Sequence, residues 1–81
     1  MSRPAFSVVI PLFNEAGNVP LLQQELAAAL AGRNYELILV DDGSTDDTAA
    51  QITPGAGVRV IRFVRNAGQS AAMLAGLRAA E

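Results

Sequence analysis

Three short stretches hold nearly every residue capable of chemistry: Pro11-Leu-Phe-Asn-Glu15, Asp41-Asp-Gly-Ser-Thr45 and Arg65-Asn-Ala-Gly-Gln-Ser70. Asp41 and Asp42 are adjacent carboxylates with no Lys or Arg beside them in the sequence, so they repel. A carboxylate so placed can accept the ring N–H of a uracil or guanine base. It can also hold a ribose hydroxyl or a divalent cation. The plain alternative is a turn, because Asp-Gly and Ser-Thr are ordinary turn and cap residues. The acid spacing is not that of an EF-hand loop, since Gly43 stands at the third position. Glu15 follows an apolar run, but a lone loop glutamate is commonly just solvated. Phe13 can offer a ring to a base, although an isolated Phe is more often core. In the third stretch, Gly68 lets the backbone approach a ligand at the start of a helix, whose amino end favours phosphate. Arg65 offers a bidentate fork for a diphosphate. The alternative there is a capping loop with one exposed Arg. No Gly-x-Gly-x-x-Gly follows a strand, and there is no Gly-Lys-Ser/Thr phosphate loop.

Composition narrows the classes. The 81 residues allow one domain at most, with a modest buried fraction. There is no cysteine, hence no disulfide framework and no thiolate metal site. There is no histidine, which removes the commonest general base near neutral pH. The net charge is −2, with six Arg and no Lys, unlike the basic footprint of a nucleic-acid binder. No apolar run is long enough to span a membrane, and Met1-Ser-Arg-Pro4 carries no signal-peptide core. The expectation is a soluble cytoplasmic α/β domain.

The elements that must position these stretches follow from apolar patterning. Leu37-Ile-Leu-Val40 has no polar face, which predicts a central parallel strand over residues 35–40, covered on both sides. Gly43 allows a sharp turn beyond it. Residues 6–10 are rich in β-branched side chains and predict a first strand, ended or made an edge by Pro11. Asn18 as cap and Pro20 in the first turn open a helix. Val19, Leu22, Leu26 and Leu30 carry it to about Ala31, and Gly32 ends it. Residues 45–52 predict a short helix with Asp46 and Asp47 in its first turn. Residues 58–64 predict a third strand, less covered because it carries Arg59 and Arg62. Residues 69–81 predict an Ala-rich helix packed through Met73, Leu74 and Leu77. This β-α-β-α-β-α order argues for a three-layer, Rossmann-like parallel sheet. All carboxyl ends then lie along one edge, so the three chemical stretches converge there, where such sheets bind ligands. The opposite loops, 32–34 and 54–57, read as plain turns.

Taken together, Ser7-Val-Val-Ile-Pro-Leu-Phe-Asn-Glu15, Val40-Asp-Asp-Gly-Ser-Thr-Asp46 and Arg65-Asn-Ala-Gly-Gln-Ser-Ala-Ala72 resemble the amino-terminal half of a family 2 glycosyltransferase. The flavour is polyprenyl-phosphate, dolichol-phosphate mannosyltransferase-like. The match covers nearly the whole chain in the family's order and spacing. It implies the nucleotide-binding half of a GT-A fold, with residues 1–81 forming a single truncated nucleotide-sugar-binding domain. It implies transfer of a sugar from a nucleotide-diphosphate donor to a lipid-phosphate or saccharide acceptor, as in lipid-linked or cell-envelope sugar biosynthesis. It places the intact protein at the cytoplasmic face of the membrane. By the same resemblance Pro11, Phe13 and Glu15 line the nucleoside pocket, and Asp42, with Asp41 beside it, binds base or ribose. Arg65, Asn66, Gly68 and Gln69 flank the nucleotide and its phosphates. Phe13 stands where the family often has Tyr, and Gln69 where many members have Lys. The family uses Mg²⁺ or Mn²⁺, held by an Asp-x-Asp expected beyond Glu81, with the catalytic base further on. No catalytic residue or metal ligand is therefore assigned within the chain, and the 81 residues alone are expected to be inactive. Two other readings compete. A receiver-like module also uses an acidic pair and Mg²⁺, but its pair follows the first strand and needs a lysine. A non-catalytic nucleotide-binding or structural α/β module needs neither.

Overall fold

A computed structural model describes residues 4–55 and 57–80. The order is β1 (Phe6–Leu12), α1 (Val19–Ala29), β2 (Tyr35–Asp41), a 3-10 turn (Ala49–Gln51), β3 (Val58–Arg62) and α2 (Gln69–Ala80). The three strands form one parallel sheet in the order β1-β2-β3. The sheet is thus a consecutive, parallel α/β arrangement, as the alternating pattern predicts.

β2 is central, and its run Leu37–Val40 is buried on both faces. Alternation along a strand divides that run between two cores. Leu37 and Leu39 pack with Leu12, Val19 and Ile52, with Val8, Ile10, Leu22 and Leu26 around them. Ile38 and Val40 pack with Ala72, Val9, Ile61 and Phe63 on the other face. Helix α1 and the 3-10 turn cover the first face, and α2 covers the second. Burying each large aliphatic side chain contributes about 1.5–3 kcal/mol, so β2 supplies much of the fold's stability.

Four local expectations are corrected. β1 runs two residues past residue 10, with Pro11 opposite Val40 in the ladder. Among these strands β1 lies at an edge, where a missing N–H is tolerated. Residues 45–52 do not form a helix beyond the turn at Ala49–Gln51. The Asp46 carboxylate takes the Thr48 amide, 2.9 Å, and the Thr48 hydroxyl, a local bonding pattern that competes with helix. Asp46 therefore serves a turn, not the first turn of a helix. Asn18 precedes α1 but makes no side-chain cap. Its amide donates back to Glu15 Oε2, 3.1 Å. β3 stops at Arg62, and Val64 is fully exposed. The thin cover expected from its arginines is seen at Val60, 48% exposed.

Helix α2 packs by its small residues. Leu74 and Leu77 are more than half exposed, whereas Ala72 is fully buried. A Cβ on Gly76 would lie 2.2 Å from Val9 Cγ1 and 3.2 Å from Val40 Cγ2, so this glycine sets how close the helix comes to the sheet. Of the expected packing residues Met73 is half-buried while Leu74 and Leu77 stay exposed, because close approach to a sheet selects Ala and Gly instead. Gly76→Ala is expected to lower stability by about 1–3 kcal/mol through overpacking. Val9→Ala in the same chain should recover part of that loss. Urea midpoints of the two variants check both statements.

Candidate functional site

Strand register brings the three stretches together. Leu12 pairs with Asp41, and Asp41 with Arg62, so the strands finish level. The ladder continues one step further, with Asp42 N–H donating to Leu12 O, 2.8 Å, and Phe63 N–H to Asp41 O, 2.9 Å. Everything that follows each strand starts from one edge.

Strand alternation sends Asp41 and Asp42 to opposite sides. Asp42 is 3% exposed. Its Oδ1 accepts the Ala67 amide, 2.8 Å, and its Oδ2 accepts the Gly68 amide and the Asn66 side-chain amide, both 3.0 Å. Asn66 also donates to the Asp42 carbonyl, 3.2 Å. The carboxylate thus folds the loop before α2 around itself. Gly43 permits this contact: its φ is +69°, and a Cβ there would lie 2.2 Å from the Arg65 carbonyl carbon and 2.3 Å from the Asn66 nitrogen. The Gly68 amide, at the helix start read from sequence as favouring phosphate, already holds with the Ala67 amide an anion belonging to the protein.

Asp41 is fully buried on the other side. Its Oδ1 accepts the Ser44 amide, 3.2 Å, and the Ser44 hydroxyl. Its Oδ2 makes no hydrogen bond among the described residues, but Arg62 Nε stands 3.6 Å away. The cation missing from the local sequence arrives across the ladder.

The loop after β1 is pinned to the loop after β2. Asn14 has φ +52°, a left-handed conformation that Asn tolerates better than most residues. Its amide donates to Ser44 Oγ, 3.0 Å, and its Oδ1 accepts the Thr45 amide, 2.9 Å. One residue on, Glu15 N–H donates to Thr48 Oγ1, 2.8 Å.

These loops enclose a cleft of about 430 Å³ lined by Pro11, Leu12, Phe13, Glu15, Asp42, Asn66 and Gly68. Phe13 is 44% exposed, not core. Of the residues singled out from sequence, Pro11, Phe13, Glu15, Asp42, Asn66 and Gly68 meet here, while Asp41 and Arg65 are not in the lining. The side chain of Gln69 lies outside the described residues. Sequence reasoning left out Leu12, an ordinary apolar residue just past Pro11, and Thr48, whose contact with Glu15 spans 33 residues. Among the described residues no three acidic side chains gather as a metal site.

Asp46 has its pKa lowered, chiefly by the Thr48 hydroxyl, against a smaller opposing effect of burial, with backbone amides of Thr48 and Ala16 helping. A depressed carboxyl pKa contributes stability above the unfolded-state value of 3.8, lost as pH falls through the folded-state value. Thr48→Val removes the principal donor. The Asp46 carboxyl is expected to move back up toward 3.8, as followed by carbon-detected NMR titration.

The family model described as Glycosyl transferase family 2 matches residues 7–81. The chain belongs to glycosyl transferase family 2. Among its relatives, an undecaprenyl-phosphate 4-deoxy-4-formamido-L-arabinose transferase of Klebsiella pneumoniae is 43% identical over 77 residues, covering 86% of this chain and 24% of its own length. A dodecaprenyl-phosphate galacturonate synthase of Rhizobium johnstonii is 44% identical over 78 residues, covering 88% of this chain and 23% of its own. The chain therefore spans about a quarter of the length of these curated relatives. A solved structure, a mannosyltransferase of Pyrobaculum calidifontis in complex with GDP-Man and Mn²⁺, superposes with a TM-score of 0.78 at 22% identity. That alignment takes in 99% of this chain and 25% of the other. The likeness establishes the fold as part of the GT-A architecture, which the three-motif resemblance implied. No helix among the described residues is long and apolar enough to cross a membrane.

Proposed function

We propose that these residues form the donor-binding part of a glycosyltransferase that moves a sugar from a nucleotide diphosphate to a polyprenyl-phosphate acceptor. The observation that carries this is the cleft at the strand ends, which joins an exposed aromatic ring, two carboxylates and a polar loop. Its volume lies within the usual range for small-ligand sites, about 300–1,000 Å³. Phe13 gives a face on which a base stacks. Glu15 uses Oε2 for Asn18, which leaves Oε1 to accept a base N–H or a ribose hydroxyl. Asp42 spends its carboxylate mostly on the loop, so its main part is to build the cleft wall, with a lone pair of Oδ1 remaining.

The lining holds two carboxylates and no cation, so it suits the nucleoside end of a donor. The diphosphate is assigned to the outer side of the loop, toward Arg65. The acid pair at the end of β2 does not fit a divalent cation: Asp42 is taken up by N–H donors and Asp41 by Ser44 and Arg62. In this reading Mg²⁺ or Mn²⁺ is held by residues beyond Glu81. The names of the relatives support a polyprenyl-phosphate acceptor, and the membrane surface follows from such an acceptor. The family match and the fold favour this reading over a receiver-like module.

Titration with UDP and GDP tests it. Saturable amide shifts at Glu15, Asp42 and Gly68, weakened in Glu15→Gln, are the expected result. Shifts confined to other parts of the chain, or none at millimolar nucleotide, would remove the donor site.

A further inference from the structure

We propose that Thr48 and Asp46 are positioning residues that hold Glu15 in place for nucleotide binding, acting through the backbone at residues 15 and 16. The inference rests on the donor-site reading above. Thr48 is fully buried, yet it is a polar residue in a short irregular segment. A buried hydroxyl must be partnered, and its two partners belong to different loops. Its oxygen accepts the Glu15 amide, 2.8 Å, while its O–H donates to Asp46 Oδ1. The other Asp46 oxygen accepts the Ala16 amide at 3.4 Å. Two successive amides of the cleft loop are therefore fixed by one relay that begins outside the cleft.

The relay is directional. The hydroxyl can donate only one proton, and the carboxylate fixes where that proton goes. The lone pairs of the hydroxyl are then turned to the Glu15 amide. Neither Thr48 nor Asp46 lines the cleft. Neither touches a ligand placed there, so any effect they have on binding passes through Glu15. The other ties on this loop run from Asn14 to Ser44 and Thr45 and from the Asn18 and Val19 amides to the Glu15 carbonyl, and they leave the Glu15 amide itself to Thr48. Losing the relay releases the amide side of Glu15, while its carbonyl stays on the Asn18 and Val19 amides, and so loosens the backbone that carries the carboxylate. The side chain then samples positions unsuited to a base.

The test uses Thr48→Val, Thr48→Ser and Asp46→Ala. The Glu15 and Ala16 amides should be protected from hydrogen exchange in the wild type, exposed in Thr48→Val and protected again in Thr48→Ser. Nucleotide affinity should fall about five- to tenfold in Thr48→Val, the loss of one hydrogen bond's worth of positioning, and return in Thr48→Ser. Adding Glu15→Gln to Thr48→Val should cost little more than Glu15→Gln alone, because both act through one side chain. Asp46 is exposed, so Asp46→Ala repeats the test without a change in the core should Thr48→Val fold poorly. Wild-type binding with unchanged affinity in Thr48→Val or in Asp46→Ala overturns this inference alone, as do fully additive losses. Absence of nucleotide binding by the wild type overturns the donor-site reading beneath it, whereas the exchange pattern still reports on the relay.

Discussion

Asp42→Ala is expected to bring the chain to the edge of unfolding. Three N–H donors converge on this carboxylate at 2.8–3.0 Å, from Asn66, Ala67 and Gly68. A hydrogen bond to a charged group contributes about 1.5–3 kcal/mol. The three share one acceptor group and are not additive, and water reaches part of the vacated loop. A loss of about 3–5 kcal/mol is the reasonable sum. An 81-residue chain has only about 4–12 kcal/mol of total stability. The substitution therefore consumes a large share of it. Urea denaturation followed by far-UV circular dichroism should show the midpoint collapse. Asp42→Asn keeps one acceptor oxygen and should fall between wild type and Asp42→Ala. A wild-type midpoint in Asp42→Ala would mean that the loop before α2 is held by something else. The same result would weaken the case for a built cleft.

Gly43→Ala is expected to be nearly as damaging, for a steric reason. The added Cβ would meet backbone atoms of Arg65 and Asn66 at 2.2–2.7 Å. Carbon contacts are comfortable at about 3.5–4 Å, so the loop must retreat by about 1 Å or more. Backbone cannot escape by changing rotamer. The retreat pulls Ala67 and Gly68 away from Asp42 and opens the cleft wall. The left-handed conformation adds about 1–2 kcal/mol of its own. Gly32 is the natural control. Its φ is +79°, but nothing lies within 4 Å of its Cβ direction. Gly32→Ala should show the conformational cost alone, and the difference between the two variants isolates the clash. A total near 3–5 kcal/mol is expected for Gly43→Ala, read from thermal and urea denaturation. Equal losses in the two variants would deny the close approach of the loop.

These two residues also show how much the sequence could tell. Asp42 and Gly43 were legible as a strand end and a turn, because four aliphatics followed by Asp-Asp-Gly allow little else. Their partners in the third stretch were legible only through topology. Parallel alternation predicts that the loops after the strands share an edge, and Glu15, Asp42 and Asn66 do line one cleft. What the carboxylates do there was not legible. Two adjacent acids look equivalent in a sequence, yet the pleat turns one to Arg62 and the other to the loop before α2. Arg62 stands 21 positions after Asp41, and only strand register makes them neighbours.

The amino-acid sequence by itself determined the parallel α/β class, the central place of residues 37–40 and the edge where the polar stretches gather. It did so because burial and chain direction leave a periodic record in local composition. The tertiary structure alone decided which acid builds the cleft wall, that Phe13 is exposed, that α2 packs through Ala72 and Gly76, and that Thr48 reaches Glu15. Those outcomes depend on distances between segments far apart in the chain, 24 residues for Asp42 and Asn66 and 33 for Glu15 and Thr48, set by register and close packing, and no local pattern encodes such distances.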